Sequence, residues 1–160
     1  MLEEKKNPNE GQLDYRIMII DDDLDYADSL RMILENENYK TVLAHSEEEA
    51  LESMEENAVD LALIDIRLGQ DNGIDLLLKL KKMQPSILCV MITGFGTIET
   101  AIQALRYGAY DYLRKPVNPE ELIVSLNRGF EKIRLVKERQ AREARAKKLE
   151  VDDTNPPPSQ

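Results

Sequence analysis

Three aspartates, a threonine and a lysine stand out in this chain, because each closes or directly follows a short apolar run. Ile17-Met18-Ile19-Ile20 leads into Asp21-Asp22-Asp23, and Leu61 to Ile64 leads into Asp65. Ile87 to Ile92 leads into Thr93-Gly94, and a run around Leu113 into Lys115-Pro116. If the runs are parallel strands of an open α/β sheet, their carboxyl ends share one edge, where ligands bind. Asp21, Asp22 and Asp65 would then repel one another, and an oxygen-seeking cation relieves that repulsion. Mg²⁺ suits such a place: it takes one or two carboxylates, keeps several waters and leaves room for phosphate oxygens. A carboxylate beside the ion can act as a nucleophile and form an acyl phosphate. Lys115 is a mobile point charge for one phosphoryl oxygen, and the Thr93 hydroxyl can donate to another. Phosphoryl transfer needs little more than this positioning and charge.

Taken singly, the residues have plainer uses. An acid after a strand is commonly a helix cap or turn residue, which is the preferred reading for Asp23 and Asp25. Asp21, Asp23 and Asp25 also imitate the first ligands of an EF-hand loop. The sixth position there is Tyr26 where glycine is needed, and the twelfth is Met32 where glutamate is needed, so that reading fails. A lone Thr93 is an ordinary strand-end hydroxyl and a lone Lys115 an ordinary surface lysine. Together, each at the end of a different run, they are hard to assign to chance. His45 has no acid-base or metal partner nearby in sequence and reads as a surface or capping residue. Cys89, inside an apolar run, reads as an inert core residue.

Composition narrows the class. The chain has 160 residues, 42% apolar and 32% charged, which allows one domain plus tails with a real core. A net charge of −10 argues against direct nucleic-acid binding, which needs a basic face. The balance is uneven, because residues 131–150 are basic and the remainder is correspondingly more acidic. No apolar run approaches the ~20 residues of a membrane span. The polar N-terminus lacks a signal-peptide core, and the single Cys89 suits a reducing cytoplasm.

The elements that must position these residues follow from periodicity. Residues 1–14 read as a disordered leader. Strands are expected at Arg16–Asp21, Thr41–Ala44, Leu61–Asp65, Ile87–Ile92 and Tyr110–Arg114. Between them lie helical faces: Ala27, Leu30 and Leu34; Ala50 and Met54; Ile74, Leu77, Leu78 and Lys81; Ile98, Ala101, Ile102 and Leu105. Ser46 with Glu49 forms a capping box, and Glu47-Glu48-Glu49 is a solvated first turn. Gly69 to Gly73 reads as a flexible polar loop, Pro85 stops the third helix, and Gly108 closes the fourth. Asn118-Pro119 opens a fifth helix with a stripe through Leu122, Leu126, Ile133 and Val136. Residues 137–150 continue it as a charged extension with little to bury: a solvated helix, a linker toward a partner, or half of a weak coiled coil, in that order. Residues 151–160 form a Pro-rich tail or linker. Alternating β and α units imply a parallel sheet with helices on both faces.

The motifs Ile19-Ile20-Asp21-Asp22-Asp23, Leu63-Ile64-Asp65-Ile66-Arg67, Met91-Ile92-Thr93-Gly94 and Tyr112-Leu113-Arg114-Lys115-Pro116 resemble the receiver domain of two-component response regulators, over about residues 15–136. The resemblance implies a doubly wound, flavodoxin-like five-stranded sheet of order 2-1-3-4-5. It implies that Asp65 accepts a phosphoryl group from the phosphohistidine of a sensor histidine kinase or phosphotransfer protein. Asp22 and Asp65 would bind Mg²⁺ (or Mn²⁺ in its place) directly, Asp21 through water, and the main-chain oxygen of Arg67 would complete the protein ligands. Lys115 would hold a phosphoryl oxygen, with a cis bond to Pro116. Thr93 and Tyr112 match the switch pair, whose movement alters the surface of the fourth helix, fifth strand and fifth helix. Gly69, Asn72 and Gly94 stand where the family often has proline, aspartate and alanine.

Two positions bear on the lifetime of the phosphorylated form. Water approaches past Arg67 and Phe95, two residues beyond Asp65 and Thr93. Neither orients water well and both crowd its path, so at most slow self-dephosphorylation is expected, and no other enzymatic activity. Output is expected through a partner or a phosphorylation-dependent homodimer. The alternatives are a receiver that regulates an output domain absent from this chain, as in a transcription regulator, and an aspartate-nucleophile phosphatase. The phosphatase wants a threonine after its paired acids, which Asp21-Asp22-Asp23-Leu24-Asp25 lacks. The segment Gly94 to Ala101 and the basic helix resemble regulators in which a receiver precedes a sigma-54-type ATPase or a kinase.

Overall fold

The computed structural model describes residues 14–94 and 96–154. The expected leader, apart from Asp14, and the end of the expected tail lie outside them. The chain divides into two compact units, one up to Ile123 and one from Val124.

The first unit is built on five parallel strands: β1 Arg16–Ile20, β2 Lys40–Ala44, β3 Leu61–Asp65, β6 Leu88–Thr93 and β7 Asp111–Arg114. Their order is β2-β1-β3-β6-β7, so the expected 2-1-3-4-5 arrangement is present. β3 and β6 are buried at every position, as strands covered on both faces must be, whereas the edge strand β2 is exposed at Lys40 and half-buried from there until Ala44. Each fully buried aliphatic side chain among them contributes roughly 1.5–3 kcal/mol. The Arg16 N–H donates to the Asp60 carboxylate at 2.9 Å, fixing where β1 begins.

The helices are α1 Leu24–Asn36, α2 Glu47–Glu56, α3 Gly73–Met83, α4 Ile98–Arg106 and α5 Pro119–Thr154. α1 buries Ala27, Leu30 and Leu34, the face its spacing predicts. Ser46 caps α2 by accepting the Glu49 N–H, but the Glu49 carboxylate reaches the N–H of His45 at 2.7 Å, one residue earlier than a capping box requires. α3 buries Leu76 and Leu80 with Ile74 and Leu77, while Leu78 lies outside, so its inward face is rotated from the expected one.

α4 overturns its expectation more fully. Its buried residue is Ala104, while Ile98 is 80% exposed and Ile102 and Leu105 are also exposed. Two apolar stripes compete on this helix, and the one with small side chains faces the sheet. The expected flexible loop after β3 is instead ordered: β4 Arg67–Leu68 and β5 Asp71–Asn72 pair antiparallel in a hairpin. Gly69 turns it with φ +58°, and Asn72 caps α3 by accepting the Ile74 N–H at 2.8 Å.

The second unit is helical from Val124 to Thr154, four residues past the expected end of the charged extension. Leu126 and Phe130 are buried, and Phe130 was not among the expected stripe residues; Ile133 and Val136 are half-buried. Residues 137–151 are exposed throughout. Arg134 pairs with Glu131 at 2.5 Å and Glu138 at 2.7 Å, one helical turn away on either side.

Candidate functional site

The sheet delivers its chemistry to one edge. Asp21 follows β1, Asp65 closes β3, Thr93 closes β6 and Lys115 follows β7. Asp21, Asp65 and Thr93 are buried polar residues. One carboxylate oxygen from each of Asp21, Asp22 and Asp65 lies within 4.8 Å of the others. The Lys115 ammonium donates to Asp21 Oδ2 at 2.6 Å and to Asp65 Oδ2 at 2.9 Å, bridging residues 94 and 50 positions away. The peptide bond from Lys115 to Pro116 is cis.

Each acid is also held by backbone. The Asp23 N–H donates to Asp21 Oδ1 at 2.9 Å, and the Arg67 N–H to Asp65 Oδ1 at 3.1 Å. The Gly69 N–H reaches Asp22 Oδ2 at 3.0 Å, a bond that proline could not make. The hairpin is anchored in turn through Asp71, whose carboxylate accepts the Glu47 N–H at 3.3 Å, while Glu47 pairs with Lys79 at 2.6 Å. Asp23 serves as the N-cap of α1, accepting from Tyr26 N–H, as the plainer reading of that residue expects.

Electrostatics reflect this crowding. Burial pushes the Asp21 carboxyl above its ordinary value, assisted by the charge of Asp65 and opposed by Lys115 and the Asp23 N–H. Burial works against the Lys115 charge, but hydrogen bonds to Asp21 and Asp65 outweigh it and hold the ammonium above its ordinary value. The donors are all oxygen, with one lysine against three carboxylates. That set fits a hard divalent cation such as Mg²⁺ and not a thiolate- or imidazole-seeking metal. Cys89 takes no part: it is buried, and burial pushes its thiol up to about 12.

Sequence reasoning missed three contributors. The ring of Tyr26 lies 4.4 Å from the Lys115 Nζ, and its hydroxyl accepts the Val117 N–H at 3.2 Å, so it steadies the lysine and the turn after it. His45 Nδ1 meets the Asp21 main-chain oxygen at 3.2 Å. Gly73 packs so closely that a Cβ there would stand 2.1 Å from the Asp65 carbonyl oxygen. The turn signal was visible at Gly73, but the closeness was not. Phe95 lies outside the described residues, and Tyr112 lies on β7 beside Met91 of β6.

A parallel sheet in this order, with an acidic triad and a bridging lysine at its carboxyl edge, is the arrangement expected of a receiver domain. Residues 17–127 match the family described as response regulator receiver domain, and the chain belongs to that family. It is 35% identical over 119 residues to the transcriptional regulatory protein ZraR of Klebsiella oxytoca, covering 74% of this chain and 27% of that one. It is 34% identical over 128 residues to the alginate biosynthesis transcriptional regulatory protein AlgB of Pseudomonas putida, covering 80% and 28%. Among solved structures, NtrX from Brucella abortus superposes with a TM-score of 0.76 at 35% identity, covering 81% of this chain and 29% of that one. A CheY-like receiver domain from Methanospirillum hungatei superposes with a TM-score of 0.72 at 36% identity, covering 75% and 96%. The chain thus spans little more than a quarter of the length of the regulators it matches. Among the described residues, no helix is long and apolar enough to cross a membrane.

Proposed function

We propose that Asp65 accepts a phosphoryl group from the phosphohistidine of a sensor kinase or phosphotransfer protein. The observation that carries this is the Lys115 ammonium lying between Asp21 and Asp65, at 2.6 and 2.9 Å, with Asp22 alongside. An Asp65 oxygen forms a bond to phosphorus as the P–N bond of the donor breaks, and the imidazole leaves with the electron pair and takes up a proton. Asp21, Asp22, Asp65 and the main-chain oxygen of Arg67 would hold Mg²⁺, which supplies positive charge to the phosphoryl oxygens. Lys115 pairs with one of those oxygens, and the Thr93 hydroxyl donates to another. The backbone bonds to Asp21, Asp22 and Asp65 keep the carboxylates oriented before the donor arrives.

The new charge draws Thr93 toward Asp65, and the balance of Tyr112 positions shifts toward the space behind it. The signal leaves through a surface that includes α4, and the outward Ile98, Ile102 and Leu105 support a binding role for that face. The relatives named as transcriptional regulators favour a receiver that governs an output domain of that kind, with pairing of receivers as one means of control. Replacing Asp65 by asparagine should abolish labelling by a ³²P-phosphodonor in the presence of Mg²⁺. Undiminished labelling of that variant would overturn the assignment.

A further inference from the structure

The Tyr112 ring packs partly against the core, yet its buried hydroxyl has no hydrogen-bond partner among the described residues. A buried unpaired hydroxyl costs free energy, so something other than polar bonding holds the ring there. The neighbour that decides the matter is Gly96. A Cβ on Gly96 would stand 1.4 Å from the Tyr112 hydroxyl oxygen, 2.7 Å from Tyr112 Cζ and 2.7 Å from Thr93 Cγ2. What Gly96 supplies is room. Gly94 offers a contrast: a Cβ there would meet the Lys115 side chain at 3.7 Å, an ordinary contact.

We infer that Gly96 is a positioning residue for the switch, its missing side chain forming the seat that the inward Tyr112 ring occupies beside Thr93. The inference rests on the switch reading given above and adds the residue that permits it. A methyl group at position 96 evicts the hydroxyl, because its Cβ is fixed by the main chain and would lie 1.4 Å from the Tyr112 hydroxyl oxygen, so the Tyr112 side chain has to give way. The ring is then displaced from this seat. Phosphoryl chemistry at Asp65 continues, but the movement of Thr93 is no longer followed by Tyr112. The unpaired hydroxyl makes the seat easy to leave, which suits a side chain that must move between two places.

The test uses the full chain labelled with 3-fluorotyrosine, with the residue 112 signal assigned through Tyr112→Phe. Gly96→Ala should move the Tyr112 fluorine resonance to a solvent-exposed environment, while Gly94→Ala leaves it in place. Gly96→Ala should also weaken binding of Mg²⁺ with beryllofluoride by about tenfold, the scale of a typical coupling between sites. In a Tyr112→Leu background, which removes the obstructing atoms, the same substitution should change that affinity by less than about twofold. An unmoved resonance overturns the inference, as does an equal loss of affinity in both backgrounds, which would place the damage at Thr93. Failure of the unsubstituted chain to bind beryllofluoride would overturn the phosphoacceptor reading instead, and the ring resonance would still report whether Gly96 is the seat.

Discussion

At the scale of single residues, Lys115 balances the site. Its side chain is 19% exposed and its ammonium touches two carboxylates, one of which burial has already made harder to ionise. Lys115→Met would leave Asp21 and Asp65 facing each other with Asp22 close by. Loss of the pairing should destabilise the metal-free fold by about 1–3 kcal/mol, read from urea unfolding. Mg²⁺ should then raise the stability of Lys115→Met more than that of the unsubstituted chain, because the cation replaces the missing charge. Equal stabilisation of both would show that the lysine does not share the work of the cation. Tyr26 belongs to the same scale. In the sequence it stood only as the residue that breaks an EF-hand pattern, because its use depends on a lysine 89 positions further on.

At the scale of elements, the hairpin and the start of α3 fix where Asp65 points. The Gly73 N–H donates to the Ile66 carbonyl at 2.7 Å, and the helix begins against the backbone of β3. A methyl group at Gly73 meets main chain, which cannot rotate aside as a side chain can. Gly73→Ala should cost roughly 1–3 kcal/mol in thermal or urea unfolding, the usual scale of overpacking, and should weaken Mg²⁺ binding by displacing Asp65. Unchanged metal affinity in a destabilised variant would limit Gly73 to a folding role. α4 carries a different lesson. Ile98, Ala101, Ile102 and Leu105 satisfy helical periodicity, yet Ala104 is the residue that reaches the core. Periodicity finds an apolar stripe but cannot say whether the sheet or a partner covers it. The small side chain lets the helix approach the sheet, and the larger ones remain available for contact.

At the scale of the whole molecule, the property that matters is how long the phosphorylated form persists. Arg67, exposed on β4, and Phe95 stand two positions beyond Asp65 and Thr93 in the sequence, and neither side chain can act as a base toward water. The phosphorylated chain should last for minutes or longer at neutral pH, followed as loss of ³²P label without a phosphatase. Phe95→Glu should shorten that lifetime by giving water a polar partner. Sub-minute decay of the unsubstituted chain, or no change in the variant, would remove this account of its persistence.

The sequence by itself determined the strand-end acids, the threonine and lysine, the alternation of β and α, the cap at Asp23 and the order in which these meet the chain. Those signals are local: apolar runs, turn residues and the carboxyl ends of short strands. Only the tertiary structure decided that Gly69 lends its N–H to Asp22, that Tyr26 lies beside Lys115, and that Gly73 and Gly96 are required for space. It also decided which stripe of α4 turns inward. Spacing along a chain reports which residues share a face, whereas room for a methyl group is set by whatever other segment packs there, and that partner is chosen only when the layers close.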